Sequence, residues 1–196
     1  MLIGIDLDDV LADFITYLIE FHNQTYGTKL TKDKFNSYDF WEVWGGTREE
    51  AIQKVYNFHN TPSFTDIKPT LGSIEAINTL KKDNELVIIT SRQNSVIKPT
   101  REWVNQYFPN CFSEIYFTNH YSLAGQQIKK STICSTISVD VLIEDSLVYA
   151  FDCLSKERGV ILIDQPWNQK EILPEGISRV KSWEEVVNLI TTYHKT

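Results

Sequence analysis

At 196 residues the chain is long enough for one compact unit with a small inserted module. With 42% hydrophobic and 23% charged residues it has a globular composition, not a disordered or fibrous one. A net charge of −7 excludes wholesale attraction to nucleic acid or to an anionic membrane, so an anionic substrate needs positive charge supplied locally.

The start of the chain is acidic within a few residues and lacks the basic segment of a secretory signal, and no apolar run reaches bilayer-spanning length. A cytoplasmic protein is expected. In chain order, short Ile- and Val-rich runs at 2–5, 86–89, 115–117, 139–143 and 160–163 read as buried strands. Amphipathic patterns at about 11–26, 73–82, 97–107, 147–156 and 183–193 read as the helices between them. Strands apolar throughout, alternating with helices, predict a three-layer, Rossmann-like α/β fold with a mostly parallel sheet covered on both faces. One segment breaks the alternation. Residues 27–72 hold no buried-strand pattern but carry Tyr38, Phe40, Trp41, Trp44, Tyr56, Phe58 and Phe64, so a small helical cap is expected after the first strand and helix. The division predicted is 1–16 with 73–196 as core and 17–72 as cap. Cys111, Cys134 and Cys153 are widely spaced and odd in number, which favours buried thiols over zinc or disulfides.

The polar residues that matter sit at strand ends. In an open α/β sheet, ligands bind beyond the carboxyl ends of strands. The first strand runs into Asp6, with Asp8 and Asp9 just after it. Asp6 and Asp8 are close enough to repel without a cation, which points to a hard metal ion. The run at 86–89 ends in Thr90, Ser91 and Arg92, which offer hydroxyl and guanidinium donors to a phosphate. The run at 139–143 ends in Glu144 and Asp145, preceded by Lys129 and Lys130. Asp9 and Asp13 could equally serve the start of the next helix, where negative charge is favoured.

This order of motifs resembles the haloacid dehalogenase-like phosphatase superfamily: Asp6-Leu7-Asp8-Asp9-Val10, then Thr90 or Ser91, then Lys130, then Glu144-Asp145. A narrower resemblance, to the 5′(3′)-deoxyribonucleotidases (cytosolic 5′-nucleotidase family), rests on Asp8-Asp9-Val10-Leu11-Ala12-Asp13-Phe14 and on the stretch 67–76. The chain departs from the vertebrate pattern at Asp9, where Gly is usual, and at Arg92, where Pro is usual.

The resemblance implies a Mg²⁺-dependent phosphomonoesterase acting on a (deoxy)nucleoside 5′-monophosphate. Asp6 would be the nucleophile and Asp8 the general acid and base, with Thr90, Ser91 and Lys130 binding phosphate. Asp6, the Asp8 main-chain carbonyl and Asp145 would hold the metal, with Glu144 behind Asp145. Phe40, Trp41, Trp44 and Arg92 are the candidates to face the substrate, although cap aromatics also serve a cap's own core. Asp8 argues against dehalogenation, because a halide leaving group needs no proton. A phosphatase for another small phosphorylated metabolite is the nearest alternative; a receiver-type phospho-acceptor or a silent binding protein is a more distant one. No nucleic-acid or membrane partner is expected, and a homodimer is left open. His22, His59, His120 and His194 lack metal-ligand spacing.

Overall fold

The computed structural model describes residues 1–169 and 172–193. Its centre is a six-stranded, wholly parallel sheet of β1 (Leu2–Ile5), β2 (Glu85–Thr90), β3 (Glu114–Phe117), β4 (Val141–Glu144), β5 (Gly159–Ile163) and β6 (Ile177–Val180). The spatial order is β3-β2-β1-β4-β5-β6, so the first strand is flanked by β2 and β4.

Alternate residues of each strand enter opposite apolar layers, as the two-residue strand period requires. Ile3, Ile5, Leu86, Ile88, Val141 and Ile143 join one core with Trp103 of α6 (Ile97–Tyr107) and Trp183 of α9 (Trp183–Tyr193). Val87, Ile89, Leu142, Val160 and Leu162 join the other, under α7 (Lys130–Thr136) and α8 (Leu147–Cys153). Gly4 faces the second layer, and a Cβ there would come within 3.1–3.3 Å of Ile89, Leu142 and Val139. The absence of a side chain at Gly4 is what lets β1 lie so close beneath that layer.

Several boundaries differ from the sequence expectation. The first helix, α1 (Phe14–Tyr26), starts three residues later than 11, because 7–13 folds into a tight loop in which the Leu11 and Ala12 amides both donate to the Leu7 carbonyl. The helix expected at 147–156 stops at Cys153, and the strand expected from 139 starts at Val141. β6 was not anticipated. Its sequence, Ile-Ser-Arg-Val, is half polar, as suits a strand at the sheet edge.

Residues 27–72 contain no strand. They form α2 (Phe40–Trp44), α3 (Arg48–His59) and the short α4 (Pro62–Thr65), and α5 (Ser73–Leu80) follows. Thr47 and Glu50 close a reciprocal capping box at the start of α3. Phe35, Phe40, Val55, Phe58 and Phe64 are buried here, with Phe58 packed edge-on to Phe14 of α1 at 5.6 Å. Residue 17 therefore falls inside one continuous helix that packs against α3 and α4. Cys111, Cys134 and Cys153 are buried free thiols. No helix among the described residues is long and apolar enough to cross a membrane.

Candidate active site

Because β2, β1 and β4 are neighbours, their carboxyl ends bring Thr90, Asp6 and Glu144-Asp145 together. Asp6 extends the ladder by one step, its amide donating to the Ile143 carbonyl at 2.9 Å. Lys130 opens α7 and is buried. Its Nζ lies 2.6 Å from Asp6 Oδ1 and 2.6 Å from Glu144 Oε1. Lys129, by contrast, is exposed and pairs with Asp152 at 3.8 Å.

The adjacent acids Glu144 and Asp145 point to different partners. Glu144 is fully enclosed: Oε1 meets Lys130, while Oε2 accepts the amides of Asp145 (2.8 Å) and Ser146 (3.2 Å). Asp145 Oδ2 accepts the indole N–H of Trp167 at 2.8 Å. Oxygens of Asp6, Glu144 and Asp145 lie within 4.8 Å of one another. Burial, reinforced by Glu144, pushes Asp6 up to about 7, although Lys130 opposes the shift. Burial and the same neighbouring acids hold Asp145 well above the usual carboxylate range. Burial also works against the charge on Lys130, but Asp6 and Glu144 outweigh it and keep the ammonium well above its ordinary range.

Such crowding has a chemical meaning. Three buried carboxylates share one ammonium, so with all three ionised two negative charges beyond neutrality remain in a low-dielectric site, and a divalent cation would reverse the upward pKa shifts. The oxygen donor set suits a hard ion such as Mg²⁺. With both Glu144 oxygens engaged, Asp6 and Asp145 are the carboxylates placed to meet it.

Asp8 lines the same cleft as Asp6 and Asp145 and is gripped by the Arg92 guanidinium at 2.7 Å. Arg92 Nη1 donates to Thr100 Oγ1 at 3.0 Å, and the guanidinium sits 4.8 Å from the Phe64 ring centre. Thr90 is buried, its Oγ1 accepting the Arg92 amide at 3.2 Å. The Ser91 Oγ lies near the Tyr149 phenol but makes no well-formed hydrogen bond, leaving it buried and able to donate.

Asp9 adopts a left-handed backbone, φ 59°, at the position where the vertebrate pattern has Gly. Its Oδ1 accepts the Ile15 amide in the first turn of α1 (3.0 Å), and its Oδ2 accepts the Tyr38 phenol (3.2 Å). Burial pushes Asp9 up to about 8. Asp13 is taken up locally by Thr16 at 2.8 Å and Lys32 at 3.6 Å.

A cleft is lined by the polar residues Asp6, Asp8, Ser91, Arg92 and Asp145 together with the rings of Phe14, Tyr38, Phe40 and His59. It continues into a wider outer groove, which Trp41 lines together with Arg48, His120 and Trp167. Phe40 thus faces the inner cleft and Trp41 the outer one. Trp44 lines neither; its ring stacks on His22 at 4.6 Å and 12°. Among the described residues no histidine joins a metal-binding group: His22 bonds Thr28, His120 bonds Tyr149, and His59 is half-buried beside Phe64. His194 lies outside the described residues. Tyr38, Tyr149 and Trp167 were not singled out from sequence as site residues. The signal for Trp167 is present, since Pro166-Trp167-Asn168 begins three residues after the apolar run ending at Ile163 and so lies near a strand's carboxyl end.

Comparison with known proteins yields a consistent set of similarities. Residues 1–195 match the family described as 5′ nucleotidase, deoxy (pyrimidine), cytosolic type C protein. A 5′(3′)-deoxyribonucleotidase of Bacillus subtilis is 28% identical over 188 residues, covering 94% of this chain and 95% of the relative. Among solved structures, a haloacid dehalogenase-like family hydrolase from Streptococcus pneumoniae superposes with a TM-score of 0.71 at 14% identity, over 96% of this chain and 97% of that one. The HAD-hydrolase YfnB from Bacillus subtilis, described as bound to magnesium, has a TM-score of 0.63 at 14% identity, over 96% and 97% of the two chains.

Proposed function

The chain belongs to the deoxy 5′-nucleotidase family of haloacid dehalogenase-like phosphatases, and on that premise we propose that it is a Mg²⁺-dependent phosphomonoesterase. In this reading it hydrolyses (deoxy)nucleoside monophosphates through an aspartyl-phosphate on Asp6. The observation that carries the reading is the buried group of Asp6, Lys130, Glu144 and Asp145 at the foot of the aromatic-walled cleft.

Asp6 Oδ1 is occupied by Lys130, which leaves Oδ2 to attack phosphorus. As the O–P bond to Asp6 forms, the bond from phosphorus to the nucleoside oxygen breaks, and Asp8 gives that alkoxide its proton. Asp8 then takes a proton from water, which cleaves the aspartyl-phosphate and restores Asp6. Lys130 and the Ser91 hydroxyl hold phosphoryl oxygens, with Thr90 shaping the turn beside them. Mg²⁺, held by Asp6, Asp145 and the Asp8 main-chain carbonyl, would neutralise phosphoryl charge and orient the in-line displacement. Residues 27–72 act as the cap over this chemistry, with Phe40 and Tyr38 towards the leaving nucleoside.

Phosphate release from a panel of nucleoside monophosphates and sugar phosphates, with Mg²⁺ and with EDTA, tests the reading. Nucleoside monophosphates should be cleaved fastest, only with Mg²⁺, and Asp6→Asn should abolish turnover while remaining folded. Sugar phosphates cleaved far faster than any nucleotide would remove the nucleotidase assignment, and an active Asp6→Asn protein would remove the nucleophile.

A further inference from the structure

Trp167 touches two parts of the site that the mechanism above treats separately. Its Nε1–H donates to Asp145 Oδ2 at 2.8 Å. Its ring meets that of Tyr38 at a centroid distance of 5.4 Å and an angle of 66°. Tyr38 lines the inner cleft and is tied at its far end to Asp9, its phenol donating at 3.2 Å. A continuous chain of contacts therefore runs from Asp145 through one indole to the wall of the cleft and on to the loop after β1.

The indole is itself well fixed. It is 7% exposed and sits in a single helical turn, Pro166–Asn168, two residues beyond the end of β5. The neighbouring Asn168 amide donates both to the Asp145 carbonyl (2.8 Å) and to the Ile163 carbonyl (2.7 Å), which locks this turn to the end of β4. Arg179 of β6 holds Asn168 from behind, Nη1 to Oδ1 at 2.6 Å. A carboxylate with one oxygen on a fixed donor cannot swivel freely, so the direction of its other oxygen is set.

We propose that Trp167 is a positioning residue that aims Asp145 at the cation and, through its ring, braces Tyr38 against the bound nucleoside. The proposal rests on the Mg²⁺-dependent reading of the site. The two roles belong to different parts of the side chain and can be separated. Trp167→Phe keeps an aromatic face and removes the N–H; Tyr38→Leu removes the braced ring and leaves the N–H in place.

Titration calorimetry with Mg²⁺ alone supplies a readout independent of turnover, and steady-state kinetics with a pyrimidine deoxynucleoside 5′-monophosphate supplies the second. Trp167→Phe should bind Mg²⁺ on the order of 10-fold more weakly, and its turnover lost at low Mg²⁺ should return at saturating Mg²⁺. Tyr38→Leu should bind Mg²⁺ as the wild type does and show a raised KM. Wild-type Mg²⁺ affinity in Trp167→Phe would overturn the aiming role, and an unchanged KM in Tyr38→Leu would overturn the brace. A wild-type protein that binds no Mg²⁺ would overturn the functional reading itself, and this proposal with it.

Discussion

Arg92 holds Asp8 through three contacts: Nη2 lies 2.7 Å from Oδ1, and Nε lies 3.1 Å from each carboxylate oxygen. A planar guanidinium anchored on Thr100 gives the carboxylate a fixed direction, which a point charge could not. Arg92→Lys should therefore keep the charge but lose the aim, lowering kcat by about 10- to 100-fold, the scale of a misplaced catalytic group. Arg92→Met should add a loss of stability of about 2–3 kcal/mol, at the lower end for a broken buried pair because Asp8 stays partly wet. Steady-state kinetics and urea unfolding separate the two effects. An Arg92→Lys enzyme with wild-type kcat would show that the grip has no part in turnover.

Lys130 bonds two enclosed acids at once. Lys130→Met leaves Asp6 and Glu144 facing each other without a cation, and should cost about 3–5 kcal/mol of stability. The urea midpoint reads this directly in metal-free buffer. A loss below about 1 kcal/mol, typical of exposed ion pairs, would mean that the ammonium is not enclosed as described.

Two histidines make the helical region sensitive to acid. Burial, with Lys54 adding to it, lowers His22 to about 4, and burial, with Arg92 adding to it, lowers His59 to about 3. Both fall below the ordinary value of 6.5, so the unfolded chain binds their protons first. The stability they contribute is complete above that value and is lost as pH falls towards 4. Asp6 and Asp9, raised to about 7 and about 8, act in the opposite sense over this interval, so the test is a difference between proteins: from pH 7 to pH 5 the urea midpoint of His59→Phe should fall less, or rise more, than that of the wild type. A slope unchanged by His59→Phe would assign the acid sensitivity elsewhere.

Phe40 and Trp44 lie on one short helix but should behave differently. Phe40 faces the inner cleft, so Phe40→Leu should raise KM several-fold at a stability cost below about 1.5 kcal/mol. Trp44 packs on His22, away from the cleft, so Trp44→Leu should lower the unfolding midpoint and leave KM unchanged. A raised KM in Trp44→Leu would mean that the substrate reaches further along α2 than the cleft does.

The parts of this protein most legible in sequence are those with an uncompromised physical signature. β1 is Leu-Ile-Gly-Ile, buried on both faces, and its limits at 2–5 follow from apolarity alone. The same holds for α9, whose buried Trp183, Val186 and Ile190 recur at helical spacing. β6 escapes because an edge strand carries Ser178 and Arg179 without penalty, and residues 11–13 read as helix because Leu11 and Ala12 are apolar there for tertiary reasons. Residues at strand ends could be listed as candidates, but not given their directions. That Glu144 turns inward to Lys130 while Asp145 turns to Trp167 depends on contacts between residues 14 and 22 positions apart. Arg92 shows the same limit: its charge was visible, its commitment to Asp8 across 84 positions was not.

Asp6, Thr90 and Glu144 each stand at the end of a strand in one parallel ladder, with Ile5 level with Ile88 on one side and Ile143 on the other. A slip of one residue between β1 and β4 would set Ser146 or Glu144 where Asp145 belongs and turn its side chain to the opposite face. A misregistered molecule could still be compact, helical and soluble, yet it would be chemically silent. Turnover per mole of protein is thus a sensitive gauge of correct strand alignment, one that circular dichroism or gel filtration cannot replace.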